Sequence, residues 1–166
     1  VKVGGAIYSG ARFIGNAPHF TDVVNANGMA TASRVVERGG KILIVADGDV
    51  GIQGTLNVDG AAGVQAGDVS VRADGQLRLD PGAHISARGV GAASDGGNVN
   101  LWADQSALAR TGALVDASAG SSGRGGAIEF SARNTVELAG GEARADGRGA
   151  AAGHVLIDPA NIVVSA

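Results

Sequence analysis

Cysteine is absent from this chain, and aromatic residues are scarce: one tryptophan, one tyrosine and three phenylalanines occur among 166 residues. The lack of cysteine excludes a disulfide framework. The shortage of aromatic side chains leaves Val, Ile, Leu and Ala to form a thin core. No apolar run reaches the roughly 18 residues that a spanning helix needs, so the sequence predicts no membrane span.

Neither sign of charge dominates, because the chain has 13 Lys and Arg residues and 16 Asp and Glu residues, for a net charge of −3. Both signs are scattered along the chain, so we expect no basic face and no nucleic-acid partner. The three histidines, His19, His84 and His154, lie far apart. Phosphate-loop and calcium-repeat patterns are missing as well. The sequence therefore predicts no cofactor and no metal site.

Glycine, by contrast, is abundant, with 29 residues, and much of it recurs at a regular interval. A small pair, usually Gly-Gly, precedes a strictly alternating stretch, and the second glycine of the pair is residue 40, 67, 97, 126 and 153. Between these copies lies a five-residue signature, apolar-polar-small-polar-Gly, as in 56–60 and 85–89. Tandem repetition every 27–30 residues predicts a solenoid.

Within each repeat the apolar residues alternate with the period of a β-strand. Three short strands in each repeat predict an all-β fold, a parallel β-helix (β-solenoid) of about six coils with three short strands per coil. Aligning the repeats gives two inward columns, which are the predicted structural core: Ile42, Val69, Val99, Ile128 and Val155 in the first, and Ile44, Val71, Leu101, Phe130 and Ile157 in the second.

A third inward column contains only alanine, which predicts a narrow corner after the first strand; its members are Ala46, Ala73, Ala103 and Ala132. The outward column of the same strands is mostly polar and reads Lys41, Asp68, Asn98, Ala127 and His154. A shift of one residue would exchange these two faces, so the register is well specified.

Asp-Gly pairs separate the predicted strands, and we expect their glycines to supply the positive φ of the corners; they are Gly48, Gly60, Gly75 and Gly147. A β-sandwich is the competing all-β fold, but it usually shows hairpin turns and less regular repetition. A helical solenoid is excluded because no segment has a useful apolar stripe of period 3.6.

We expect one domain over 1–166, a β-helix segment of a longer protein. Within it, 1–38 form an irregular first coil with an insert at 29–38, 39–152 form four regular repeats, and 153–166 begin a terminal coil. The sequence starts inside one repeat and stops soon after another begins, which is why a longer protein is expected.

The run Gly153–Val164 reads Gly-His-Val-Leu-Ile-Asp-Pro-Ala-Asn-Ile-Val-Val. It resembles the LIDPxNI segment of filamentous-haemagglutinin-like exoproteins, the large adhesins that Gram-negative bacteria export by two-partner secretion. The Gly-Gly repeats at 39–48 and 96–104 also resemble that family's repeats, and the resemblance extends over 23–164.

The resemblance implies a right-handed β-helix in the shaft of a secreted or surface-exposed adhesin, and hence a structural segment and not an enzyme. It also implies an outer-membrane transporter as the partner during export. The receptor would be a glycan or a protein on the host surface, and the sequence leaves its identity open. The Asn-rich segments that mark the family's secretion domain are not seen, so we expect this segment to follow that domain.

A carbohydrate-binding or carbohydrate-cleaving β-helix is the alternative interpretation. Glycoside hydrolysis needs two carboxylates that face each other, whereas Asp68 and Glu129 are expected two turns apart in different columns. We therefore predict no catalytic residue. Trp102 is expected to point outward, between inward Leu101 and Ala103, either as a possible surface contact or folded over the neighbouring corner.

Overall fold

The computed structural model describes residues 2–3, 6–8, 40–46 and 48–165. The insert expected at 29–38 lies outside these residues, as do Asp47, His19 and most of the irregular first coil. The described residues form strands joined by short turns, and the strands in chain order are β1 (Lys2–Val3), β2 (Ala6–Tyr8), β3 (Lys41–Ala46), β4 (Val50–Ile52), β5 (Thr55–Asn57), β6 (Asp68–Ala73), β7 (Leu77–Leu79), β8 (His84–Ser86), β9 (Asn98–Ala103), β10 (Ser106–Arg110), β11 (Leu114–Asp116), β12 (Ala127–Ala139), β13 (Glu142–Arg144) and β14 (His154–Ser165).

The strands stack as a parallel β-solenoid with three faces, which confirms the predicted fold class. The first face contains β3, β6, β9 and the first halves of β12 and β14, and every neighbouring pair is parallel. The second face contains β1, β4, β7, β10 and the second halves of β12 and β14. The third face contains β2, β5, β8, β11 and β13.

The described residues make about four complete turns, fewer than the six coils predicted. The larger number included the partial turns, represented here by β1 and β2 before β3 and by β14 after β13. Strands β12 and β14 continue through the first corner, so the first and second faces join in one nine-stranded sheet. The third face is a separate five-stranded sheet.

The two inward columns stack in the predicted register. In the four complete turns their members are only 0–5 % exposed. In β14, however, Val155 is 41 % exposed and Ile157 is only partly buried, because β14 pairs with β12 on one side alone. The alanine column is in register and buried through Ala132, and it ends opposite Pro159 of β14.

An apolar cavity, partly open to solvent, lies at the end of the coil beside the last complete turn. Its walls include Phe130 and Ile157. The third face contributes a smaller side chain here, because Ala143 takes the position that Ile85 and Val115 occupy in earlier turns. A methyl group fills less of the interior than a branched side chain, so this end of the core is loosely packed.

The expectation that the Asp-Gly pairs supply positive φ is wrong, because none of their glycines has φ in the left-handed region; these are Gly48, Gly60, Gly75 and Gly147. Left-handed glycines occur instead at two other kinds of position. Gly82 (φ 89°), Gly112 (φ 83°) and Gly140 (φ 75°) lie at the corner between the second and third faces, and Gly63, Gly91 and Gly149 lie between the third and first faces. At most of these Asp-Gly positions glycine is required because there is no room for a Cβ. A Cβ on Gly60, for example, would overlap the backbone of Val64.

The glycine that directly precedes the first strand of each repeat stacks on its equivalent in the turn before. A Cβ on any of these glycines would overlap the carbonyl oxygen of the preceding one; they are Gly67, Gly97, Gly126 and Gly153. That same oxygen accepts the next inter-turn hydrogen bond, as Asn98 N–H donates to Gly67 O over 3.1 Å. The repeat therefore depends on glycine here for close approach of two backbones.

Candidate functional site

The outward side of β9 carries the only tryptophan of the chain. Its burial alternates strictly, so Val99, Leu101 and Ala103 point inward. Asn98, Asn100 and Trp102 occupy the alternate, outward positions. These three residues, two amides and the only indole of the chain, are called the β9 face below.

Trp102 is partly buried and its ring is tied to the corner that follows the strand. The indole Nε1–H donates a hydrogen bond to Asp104 Oδ1 over 2.8 Å. In the next turn the residue paired with Trp102 is Ser131, which is 0 % exposed although it also points away from the core. The sequence left two possibilities for Trp102, and the structure places it at the surface with one edge anchored.

Asp104 joins three consecutive turns. Arg72 from the preceding turn donates through Nη2 to Oδ1 over 3.3 Å, and Arg133 from the following turn donates to Oδ2 over 3.3 Å. Arg72 also reaches Asp74 through Nε over 3.4 Å. A single carboxylate thus holds the indole and two guanidinium groups in fixed relative positions.

The hydrogen bond from the Trp102 indole is the main cause that lowers the pKa of Asp104 below its ordinary value. Partial burial of the carboxylate opposes this effect, while the positive charges of Arg133 and Arg72 reinforce it. Each of these donors stabilises the ionised form. Asp104 is therefore an acceptor at neutral pH and has no proton to donate in general acid catalysis.

The amides of the β9 face are linked to acidic side chains in the neighbouring turns. Asn98 Nδ2 donates to Asp68 Oδ1 over 2.9 Å, and Lys41 Nζ lies 3.8 Å from the other oxygen of that carboxylate. Asn100 Nδ2 donates to Glu129 Oε2 over 2.7 Å. These bonds align the amides along the solenoid axis, with donors and acceptors that repeat at the spacing of the turns.

The remaining polar candidates are not brought together. Asp68 and Glu129 occupy different outward columns two turns apart, as the sequence indicated. His84 lies on the third face, where its Nε2 is buried with no hydrogen-bond partner in the part of the chain that the structure describes. His154 and Asp158 lie on β14. Among the described residues no three His, Asp or Glu side chains cluster as a metal ion would need.

Sequence reasoning missed Asp104 and Arg133 as parts of this site. A signal for Asp104 exists in the sequence, since an aspartate follows the last alanine of the first strand in three successive repeats, at Asp47, Asp74 and Asp104. The predicted register also places Arg72 beside Trp102. The link to Arg133 depends on how a long side chain bends around the corner, which a residue pattern does not encode.

Comparisons with protein-family models, with curated proteins and with solved structures found no match to this chain. The likeness to filamentous-haemagglutinin-like exoproteins therefore stays a prediction drawn from the residues. In the part of the chain that the structure describes, no helix is long and apolar enough to cross a membrane.

Proposed function

We propose that this chain is a shaft segment of a large secreted bacterial surface adhesin and contributes to attachment to host cells or other surfaces. The observation that supports this is the strict stacking of turns of 27–30 residues, in which equivalent residues meet in register from one turn to the next. A solenoid of this kind gains length with each added turn and keeps the same cross-section. That property suits a spacer that holds a binding end away from the cell.

In this proposal the producer is a Gram-negative bacterium, and an outer-membrane transporter exports the protein to the cell surface or the medium. The support is the likeness of 153–164 and of the Gly-Gly repeats to two-partner-secretion adhesins. The receptor is a host glycan or protein. Cleavage of glycans is the competing proposal, and the two-turn separation of Asp68 and Glu129 disfavours it for this pair.

Deletion of one whole turn from the full-length protein tests the shaft proposal. Removal of 40–66 joins residue 39 to Gly67 and recreates the Gly-Gly pair, so the register is kept. We expect export, surface display and cell attachment to persist. Removal of 40–53, about half a turn, is the matched control and should abolish display, because the chain before the deletion can no longer continue in register into the turns that follow it. If the whole-turn deletion is displayed normally but no longer attaches, the segment is not a spacer.

A further inference from the structure

The β9 face has a partly exposed aromatic ring whose polar edge is hydrogen-bonded to Asp104. Aromatic rings with one polar edge are favoured at binding surfaces, because the apolar face contacts a ligand while the polar edge is satisfied. Here Asp104 satisfies the indole N–H, and Asp104 is itself held by arginines from both neighbouring turns. A ring that is already oriented loses little conformational entropy when a ligand stacks on it.

The polar groups beside the ring suit hydroxyl groups. Asn98 and Asn100 are exposed, and each uses its Nδ2 to bond a carboxylate. Among the described residues no group donates to either Asn Oδ1, so both oxygens face solvent as acceptors. Outward positions on one strand are separated by about 7 Å, twice the rise per residue. Asn98, Asn100 and Trp102 therefore form a row on which several linked polar rings could lie.

Every cation around the β9 face is paired with an acidic side chain, and Glu129 adds a carboxylate that has no cationic partner among the described residues. Lys41 is paired with Asp68, and Arg72 and Arg133 are both paired with Asp104. Cations that are neutralised within the protein supply little net attraction for a polyanion. The surface therefore favours an uncharged ligand rich in hydroxyl groups over a sulfated or carboxylated one.

We propose that the β9 face binds a neutral glycan, with one sugar ring stacked on Trp102 and neighbouring hydroxyl groups bonded to Asn98, Asn100 and Glu129. Asp104 is a positioning residue that holds the indole. This goes beyond the shaft proposal, since it makes the side of the shaft itself adhesive. It can also fail while the shaft proposal holds, because the site is tested on the isolated chain and the shaft on whole cells.

Trp102 is the only tryptophan, so its fluorescence reports directly on the site. Titration of the intact chain with neutral manno-, gluco- and galacto-oligosaccharides should give a saturable change in emission for at least one of them. Heparin, the acidic probe, should bind at least tenfold more weakly. No saturable change with any neutral probe at millimolar concentration, or tighter binding of heparin, would overturn the proposal.

Calorimetry on variants then locates the site. Asn98→Ala combined with Asn100→Ala should weaken glycan binding at least tenfold and leave the melting temperature unchanged, because both side chains are exposed. Trp102→Ala should abolish binding, while Trp102→Phe, which keeps an aromatic face, should restore part of it. Arg110→Ala on the second face is the matched surface control and should bind as the parent does. Unchanged affinity in the folded double-alanine variant would refute the assignment.

Discussion

The close stacking of glycines makes a sharp prediction about the free energy of unfolding. In Gly97→Ala the new Cβ would lie 3.0 Å from the carbonyl carbon of Gly67 and closer still to its oxygen. The obstacle is backbone and cannot rotate away, so β9 must move away from β6. The movement also stretches the 3.1 Å hydrogen bond from Asn98 N–H to Gly67 O.

Overpacking of this kind costs about 1–3 kcal/mol, and loss of one hydrogen bond adds about 1 kcal/mol. We therefore expect Gly97→Ala to destabilise the chain by about 2–4 kcal/mol. For a domain of this size that lowers the melting temperature by roughly 2–4 °C per kcal/mol. Urea denaturation followed by circular dichroism measures the change directly.

Gly48→Ala is the matched control, because a Cβ at Gly48 would meet none of the described residues within 4 Å and φ there is not left-handed. Its effect should stay within about 0.5 kcal/mol, as for other surface substitutions. Equal destabilisation by the two substitutions would show that the glycines serve chain flexibility, and the explanation from inter-turn contact would be refuted.

Three further outcomes are expected. Phe130→Ala should cost about 3–5 kcal/mol, towards the lower end since Phe130 already borders a cavity, whereas Leu156→Ala, at a site 48 % exposed, should change the urea midpoint little. Ala103→Leu should destabilise by about 1–3 kcal/mol through overpacking, and a raised melting temperature would contradict the narrow corner. The pKa of Asp104 is lowered in the folded state. The stability that its ionised carboxylate contributes is therefore present above pH 3.8 and is lost as the pH falls through the folded-state pKa. The gap in melting temperature between the parent and Asp104→Asn should therefore close below pH 3.8, and a gap that is constant with pH would contradict the ionised Asp104 anchor.

Apolar alternation was sufficient to predict the strands, their register and the inward columns of the first face. Ile44, Val71 and Leu101 could be aligned from the sequence because a slip of one residue would expose all of them. The exposure of Val155 could not be predicted from the same alignment, since it depends on which strands lie beside β14.

The role of the glycines could be located from the sequence but not explained by it. Regular recurrence marked Gly67 and Gly97 as required positions, yet recurrence alone does not distinguish a need for positive φ from a need for close approach. The structure shows that these two positions need glycine because the backbones of neighbouring turns approach each other closely there. Likewise, the sequence identified Trp102 as the outward aromatic, while its anchor on Asp104 required side-chain positions from three turns.

The hydrogen bonds between turns also determine how the chain would respond to a pulling force. They run along the solenoid axis, as from Asp68 N–H to Gly40 O, so tension between the two ends loads them one turn at a time. Each turn of 27–30 residues that peels away would replace about 4.8 Å of rod with roughly 90–110 Å of extended chain. Under load the molecule would therefore lengthen in steps and dissipate mechanical work.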